Sequence, residues 1–207
     1  MAITTYAELQ AAIADWLNRS DLTSAIPNFI ALAEAEINRR LRTADMEARA
    51  TVNVSDRCIT LPPRWRGARR IFTTVSGVTR ELDILSPDQA VEFAAKHSTA
   101  GSPLAIAVIG QSLEILPVPD GTYTLEMLYY QGVTPLSNSA TTNWLLTKHP
   151  DLYLYGSLMH SAPYLRDDPR AAMWATKFDN TIREINLESE RASYPTSKLR
   201  MRHTAIG

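Results

Sequence analysis

Apolar residues recur every three or four positions over the first forty residues, which is the spacing of one face of a helix. Thr5, with Glu8 three residues later, forms a capping box and predicts the start of a first helix. A second helix follows a short polar break and has Pro27 in its first turn, so the two are predicted to be antiparallel neighbours. Their predicted buried faces are Tyr6, Leu9, Ile13, Trp16 and Leu17, then Ile26, Phe29, Ile30, Ala33, Ile37 and Leu41.

From about residue 49 the apolar spacing changes to two, which is typical of β-strands. Within this region Ser76-Gly77 and Gly110-Gln111 indicate tight turns between strands. The last strand has Tyr123, Leu125, Met127 and Tyr129 on one face. The predicted strands are 50–54 paired with 58–61, a hairpin of 69–75 and 78–85, a hairpin of 104–109 and 112–116, and 123–131.

One helix is predicted among these strands, over about residues 87–97. Ser86 supplies its N-cap, Pro87 stands in its first turn, and Gln89 completes a capping box. The predicted buried residues of this helix are Ala90, Val91, Phe93 and Ala94.

Helical spacing returns after residue 142. Asn143 is predicted to cap a short helix that ends at Lys148, and Pro150 begins the next one. Pro163 predicts a kink or a stop because it lacks a backbone donor, and Asp168 is predicted to cap the last helix. The predicted buried faces are Leu152, Tyr155, Met159 and Ala162, then Ala171, Trp174, Phe178, Ile182 and Ile185.

The two helical ends of the chain predict one shared core. Neither pair of helices can bury its apolar face alone, so the economical fold joins both pairs. The sequence therefore predicts an α+β protein in which residues 1–48 and 140–192 form a helical bundle and residues 49–139 form an inserted antiparallel β-rich lobe. Residues 193–207 have no regular apolar spacing, and we expect them to become ordered only on contact with another surface.

The composition of the chain excludes several classes of function. With 207 residues, 45% hydrophobic and 21% charged, the chain is typical of a globular protein. A formal net charge of -1 argues against a dedicated nucleic-acid binder. The single cysteine, Cys58, lies in an apolar run and is predicted to be a small core residue. No apolar stretch approaches the ~20 residues of a membrane span, and the N-terminus lacks the features of a signal peptide.

No catalytic or metal-binding motif is present in the sequence. The phosphate-binding glycine loops, the zinc-protease helix motif and the nucleophile elbow are all missing. The histidines do not pair at metal-ligand spacing; they are His97, His149, His160 and His203. We therefore predict no catalytic residue, no cofactor and no metal, while an unrecognised hydrolase built from distant residues stays an alternative.

Three cationic segments are candidate contact surfaces. Arginines at 39, 40 and 42 end the second helix, where they complement the helix dipole or meet a partner. A denser cluster follows near residue 65 and is either a solvated start of a strand or an interface. This candidate interface is Arg64, Trp65, Arg66, Arg69 and Arg70. The third segment alternates cations and apolar residues near the C-terminus, as a docking strand would. The candidate docking residues are Tyr194, Lys198, Leu199, Arg200, Met201, Arg202 and His203.

Several runs of the sequence resemble the head-to-tail adaptor (connector) proteins of tailed bacteriophages and prophages, of the short-tailed phage type. The N-terminal runs are 5–10, 15–22 and 35–41. The C-terminal runs are 142–146, 149–156, 162–165, 167–168 and 199–202. The β-rich middle of the chain resembles the family more loosely.

The resemblance implies a structural virion protein with no enzymatic activity. Such adaptors form a ring of about twelve copies beneath the portal, where each subunit needs two different complementary surfaces. The ring extends the DNA channel, lets DNA pass without reading it, and offers a platform for tail or nozzle proteins. The resemblance also implies that residues 194–207 dock into the portal, and that the protein waits in the bacterial cytoplasm before it joins the head-tail interface of the virion. A sequence-tolerant DNA-binding module that uses the arginine clusters is the main alternative function.

Overall fold

The computed structural model of the protein describes residues 2–165 and 170–193. These residues form an α+β fold, as predicted. The helices are α1 (Tyr6–Leu17), α2 (Ile26–Arg40), α3 (Pro87–Lys96), α4 (Trp144–Lys148), α5 (Pro150–Leu165) and α6 (Ala171–Ser193). The strands are β1 (Glu47–Val54), β2 (Cys58–Thr60), β3 (Trp65–Val75), β4 (Val78–Glu81), β5 (Asp83–Leu85), β6 (Ala105–Ile109), β7 (Ser112–Leu116) and β8 (Tyr123–Gln131).

The chain divides into two compact units. The helical unit contains the described residues of 1–45 and 134–207, and the β unit contains residues 46–133. The helical bundle of N- and C-terminal helices and the inserted β-rich region were both predicted from the sequence. The proposal that the two units are separate domains stays a prediction.

Helix α5 is the centre of the helical unit, where it contacts α1, α2, α4 and α6. A Cβ atom added at Gly156 would lie 2.8 Å from Cε2 of Phe178 on α6 and 3.1 Å from Cβ of Ala33 on α2. The glycine therefore lets both helices approach α5 closely. Because other helices surround α5, its buried residues cover more of its circumference than the single predicted face. Two residues of the predicted face, Tyr155 and Met159, are only half-buried.

The caps and buried faces of the outer helices, α1, α2 and α6, agree more closely with the sequence prediction. Thr5 and Glu8 form the predicted capping box at the start of α1. Every predicted core residue of α2 is buried, and so are Trp174, Phe178, Ile182 and Ile185 on α6. The prediction for Trp16 is wrong, because its side chain is 45% exposed. Trp16 lies at the margin of the apolar stripe and only touches Tyr155 edge-on, with ring centroids 6.0 Å apart.

The β unit contains two four-stranded sheets, in the orders β1-β8-β3-β4 and β2-β7-β6-β5. One apolar cluster contains side chains from both sheets, among them Ile71 and Met127 from the first and Ile106 and Ile115 from the second. Helix α3 packs Ala90 against a smaller cluster on the second sheet. The predicted burial of Val91 is wrong: it is 71% exposed, since α3 touches the sheet along one side only.

Strand pairing differs from the prediction in three ways. Strand β1 pairs with β8 rather than with β2, and β2 pairs with β7 in the other sheet. Cys58 is consequently exposed and not a core residue, because β2 is a short edge strand. The predicted strand 78–85 breaks at the buried Leu82, and β5 pairs with β6 in parallel, so the unit is not wholly antiparallel.

Both predicted hairpins are present. Ser76 and Gly77 join β3 to β4 with φ values of 50° and 78°, which suits a two-residue turn between twisted strands. Gly110 has a φ of 63° in the turn between β6 and β7. Of the predicted face of β8, Leu125, Met127 and Tyr129 are buried and Tyr123 is half-buried.

Candidate interaction surfaces

The candidate interface at residues 64–70 lies at the start of β3, which begins at Trp65 rather than at the predicted residue 69. The Trp65 ring stacks on Tyr129 of β8, with centroids 4.8 Å apart and planes 18° apart. Trp65 is therefore half-buried on the core side of the sheet and not a free aromatic anchor. Arg64 has a φ of 59°, and its carbonyl accepts a 2.8 Å hydrogen bond from the Gly132 amide.

Two of the four arginines in this cluster form ion pairs within the β unit. Arg69 forms an ion pair with Glu47, and Arg70 lies 3.5 Å from the Glu81 carboxylate. Arg66 is exposed and makes no ion pair with any residue in the described ranges. The interface role of these five residues stays a prediction, and Arg66 is the cation best placed to meet another molecule.

The arginines at the end of α2 are largely used inside the helical unit. Arg40 donates to Glu36 at 2.8 Å and to Asp179 of α6 at 2.7 Å. Arg42 donates to the carbonyl oxygen of Leu41 at 2.6 Å, where the helix leaves its carbonyls unpaired. These contacts support the interpretation that the cations stabilise the helix end.

A buried carboxylate that the sequence analysis missed lies at the centre of the helical unit. Glu34 is 8% exposed, and its Oε1 accepts hydrogen bonds from the Leu136 amide at 2.7 Å and the Tyr153 hydroxyl at 3.2 Å. Asn143 donates to the same hydroxyl and to the Thr134 carbonyl, both at 2.7 Å. The network ties the segment at 134–136 to α2 and α5. Its sequence signal is Glu34 itself, which stands within the apolar spacing of α2.

Burial changes the protonation chemistry of this network. It raises the pKa of Glu34 above the ordinary 4.5, although the Leu136 amide opposes the shift. Burial, together with the neighbouring Glu34 carboxyl, also raises the pKa of the Tyr153 hydroxyl. Both groups are therefore biased toward their neutral forms.

An apolar groove about 360 Å³ in volume runs along the outer side of α1. Ala11 and Ala12 line it together with the larger side chains of Ile3 and Trp16, and Glu8 and Asp15 are its charged residues. Trp16 is a large apolar side chain that stays 45% exposed at this groove. We refer to it below as the α1 groove.

The remaining site predictions give the following results. Across residues 2–165 and 170–193, no group of three or more His, Cys, Asp or Glu side chains is placed to hold a metal ion. No helix in the same ranges is both long enough and apolar enough to cross a membrane. The docking residues Tyr194 and 198–203, and the cap at Asp168, lie outside the described residues.

The comparison with known families decides the assignment. The model of the family described as SU10 adaptor protein matches residues 4–202, which includes both units. The chain belongs to the SU10 adaptor protein family. No curated protein matches the chain.

Membership of the SU10 adaptor protein family confirms the resemblance found in the sequence to phage head-to-tail adaptors. The protein is a structural adaptor of a bacteriophage and a component of the virion. Association with phage portal and tail proteins is a property of this family, and the family is generally non-enzymatic.

Proposed function

We propose that the protein is a head-to-tail adaptor that forms a ring beneath the portal, extends the DNA channel and provides the attachment platform for the tail. The observation that carries the proposal is the family match over residues 4–202, because it spans the helical unit and the β unit together. A ring of about twelve copies is the expected assembly, and it needs two different complementary surfaces on each copy.

The helical unit supplies a rigid body for such a ring. Its central helix α5 contacts four other helices, and Gly156 allows close packing with no space for a larger residue. A stiff subunit can hold the fixed angle that ring closure requires. On the β unit, the exposed Arg66 beside the half-buried Trp65 is the proposed contact with a neighbouring copy.

The proposed contact with the portal is the C-terminal tail, residues 194–207. Its cationic and apolar residues alternate from Lys198 to His203, which suits an extended segment bound in a groove of a partner. On the opposite side, the ring would bind tail or nozzle proteins. Before assembly the protein would reside in the cytoplasm of the bacterial host.

DNA is proposed to pass through the ring without sequence-specific binding. The formal net charge of -1 gives the chain little attraction for phosphate, and the four arginines at 49, 57, 69 and 70 pair with strand glutamates within the β unit. No cofactor and no catalytic step form part of this proposal.

Binding to the portal tests the proposal. Purified protein is mixed with the portal protein of its phage, and the mixture is separated by size and imaged in negative stain. The proposal predicts a ring on one end of the portal. A mixture whose components never associate would contradict it. Binding to duplex DNA at low salt, lost as salt is added, would favour the DNA-binding alternative instead.

A further inference from the structure

The four-stranded sheet β1-β8-β3-β4 has two open edges. Strand β1 lies at one edge and β4 at the other, and no strand among the described residues pairs beyond either of them. Strand β1 pairs with β8 over all eight residues without a bulge, and neither edge strand contains proline. The open part of β4 ends at Glu81, since the Asp83 amide donates to the Leu104 carbonyl at 3.1 Å. An unprotected edge is a template for another strand.

The hydrogen-bonding groups that point outward from β4 follow from one contact. The Leu82 amide donates to the Ile71 carbonyl of β3 at 2.8 Å. Backbone groups of successive residues in an antiparallel strand point to opposite sides. Along β4 the amides and carbonyls of Thr79 and Glu81 therefore point away from β3 and toward the open edge.

The same alternation identifies the outward groups of β1. Residues of β3 that do not bond to β4 bond to β8, and residues of β8 that do not bond to β3 bond to β1. The registers then assign residues 48, 50, 52 and 54 of β1 to β8. The alternate residues, among them Arg49 and Thr51, direct their amides and carbonyls outward.

The two edges complement each other in one register. If β4 of one copy pairs antiparallel with β1 of the next, Glu81 lies opposite Arg49 and Thr79 lies opposite Thr51. In both pairs the free backbone groups point at each other. A shift by two residues would place Glu81 opposite Glu47 or Thr51 and lose the pairing of opposite charges. A shift by one residue would turn the side chains to opposite faces.

The charges on the outer face of the sheet would continue across this contact. Arg49 is 71% exposed and pairs with Glu126 of β8 at 3.0 Å. Glu81 is 51% exposed and lies 3.5 Å from Arg70 of β3. Adding β1 of the next copy gives a row of alternating sign across four strands, in the order Arg70, Glu81, Arg49, Glu126. The two edges thus have the electrostatic complementarity that a head-to-tail contact needs.

The other face of the contact is mostly apolar. The register places Val78 opposite Val52, which is half-buried and packs against the apolar cluster of the β unit. Val78 is 55% exposed in the single copy, so the pairing would bury valine against valine. Arg80 would lie opposite Ala50, whose small side chain leaves room for the arginine stem while the guanidinium reaches solvent.

Strand direction also suits a head-to-tail contact. The four strands alternate in direction, so β1 and β4 run opposite ways within one copy. The small rotation between neighbours in a large ring keeps these directions, and β1 of the next copy then runs antiparallel to β4. A two-fold contact would instead pair an edge with itself.

We propose that the β4 edge of each copy pairs with the β1 edge of the next copy, with Glu81 opposite Arg49, and that the sheets thereby continue around the ring. This inference rests on the proposed function, because it needs a ring of copies. It names the two different complementary surfaces that ring closure requires: the opposite edges of one sheet.

Disulfide trapping tests the register. In a Cys58→Ser background, Val52→Cys is combined with Val78→Cys, or with Thr79→Cys as the matched control. Val52 and Val78 would form a pair without mutual hydrogen bonds, with Cα atoms about 4.5 Å apart, which a disulfide can span. Thr79 is also exposed but points to the other face, so a disordered contact would link it as readily. Within one copy the two edges are three strand spacings apart, about 14 Å, which is too far for a disulfide.

Each protein is bound to the portal protein of its phage, oxidised, and separated on a denaturing gel without reductant. We expect the Val78 pair to give a ladder of covalent multimers beyond the dimer, at least about tenfold more than the Thr79 pair gives. Each single-cysteine protein should stop at the dimer. Rings in negative stain whose two cysteine pairs cross-link equally would overturn this contact and leave the proposed function standing. The absence of any ring on the portal would contradict the proposed function and this contact with it.

Proline at position 79 tests the same edge without cysteines. Because the Thr79 amide points outward, Thr79→Pro removes no ladder hydrogen bond within the copy but blocks an added strand. Thr79→Val is the control, since it also loses the hydroxyl contact with Thr74 but keeps the amide. We expect Thr79→Pro to abolish the rings on the portal while the free protein melts close to Thr79→Val. Rings that form equally well with both variants would overturn the proposal.

Discussion

At the scale of single residues, the helix caps could be predicted from the sequence. The burial of residues at the edge of an apolar stripe or on an edge strand could not. Thr5 and Ser86 cap their helices as the sequence indicates, since a capping box is complete within four residues. Trp16 was assigned to the core from its helical spacing, and Cys58 from its apolar neighbours. Their exposure depends on which elements pack beside them, and the local pattern contains no information on that.

Glu34 shows the same limit for polar residues. Its spacing places it on the buried face of α2, but its partners are the Leu136 amide and the Tyr153 hydroxyl, more than a hundred residues away. A carboxylate in this position is tolerated because those donors satisfy it.

Replacing Glu34 by glutamine should remove a pH dependence of stability. Burial raises the pKa of Glu34 in the folded protein above its ordinary 4.5, so the folded state holds the proton more tightly than the unfolded chain. The stability of the wild type relative to Glu34→Gln should therefore be greatest below that value and fall as the pH rises through the raised pKa. Denaturant unfolding of both proteins at a series of pH values measures this difference.

Leucine at the same position is the control that separates charge from hydrogen bonding. Glu34→Leu leaves the Leu136 amide and the Tyr153 hydroxyl without their acceptor, at a cost of about 1–3 kcal/mol per buried donor. If glutamine and leucine destabilised the protein equally at every pH, the hydrogen-bond network would not be what holds the segment at 134–136.

At the scale of elements, the helices and hairpins were predictable and the sheet order was not. Hairpins are closed by turns such as Ser76-Gly77, which the sequence contains. Strand β1 instead pairs with β8, far along the chain, with Ala50 opposite Met127. Alternation identifies a strand but does not name a distant partner, so the nearest run, β2, was wrongly chosen.

The contact of α5 with its neighbours predicts a cost for enlarging Gly156. Alanine there gains about 1 kcal/mol of helix propensity, but its Cβ would lie 2.8 Å from the fully buried Phe178 ring. Overpacking typically costs about 1–3 kcal/mol, so we expect a net loss of stability. Thermal melting of Gly156→Ala measures it, with Gly121→Ala as the control, since no atom lies within 4 Å of a Cβ there. Equal melting temperatures for the two variants would contradict close packing at α5.

Trp174 should be the largest single contributor to the α6 contact. It is 1% exposed, and truncation to alanine should cost ~3–5 kcal/mol through lost burial and the cavity left behind. Met173, its 50% exposed neighbour, provides the matched control, because Met173→Ala removes little buried surface. Chemical denaturation compares the two. A Trp174→Ala protein as stable as Met173→Ala would show that α6 does not bury this face.

At the scale of the whole molecule, the sequence predicted the α+β class because both chain ends carry helical stripes that need a shared core. The contact surfaces were harder to predict. The arginines at 69 and 70 looked available in the sequence but pair with Glu47 and Glu81. The α1 groove was missed, because an alanine-rich helix face has no sequence signature of binding.

Removing residues 194–207 should separate folding from docking. The truncated chain retains every described helix and strand, so its circular dichroism and melting should stay close to those of the full chain. Binding to the portal should weaken strongly, because the proposed docking residues 198–203 are lost. A truncated chain that fails to fold would assign the tail to the core of the protein.

The central claim is that this SU10-family chain closes into a ring on the portal. A single-particle reconstruction of the protein bound to the portal of its phage tests it most directly. The account predicts a closed ring of identical copies, coaxial with the portal and continuous with its channel. Isolated copies scattered on the portal surface, or density that leaves the channel exit uncovered, would contradict it.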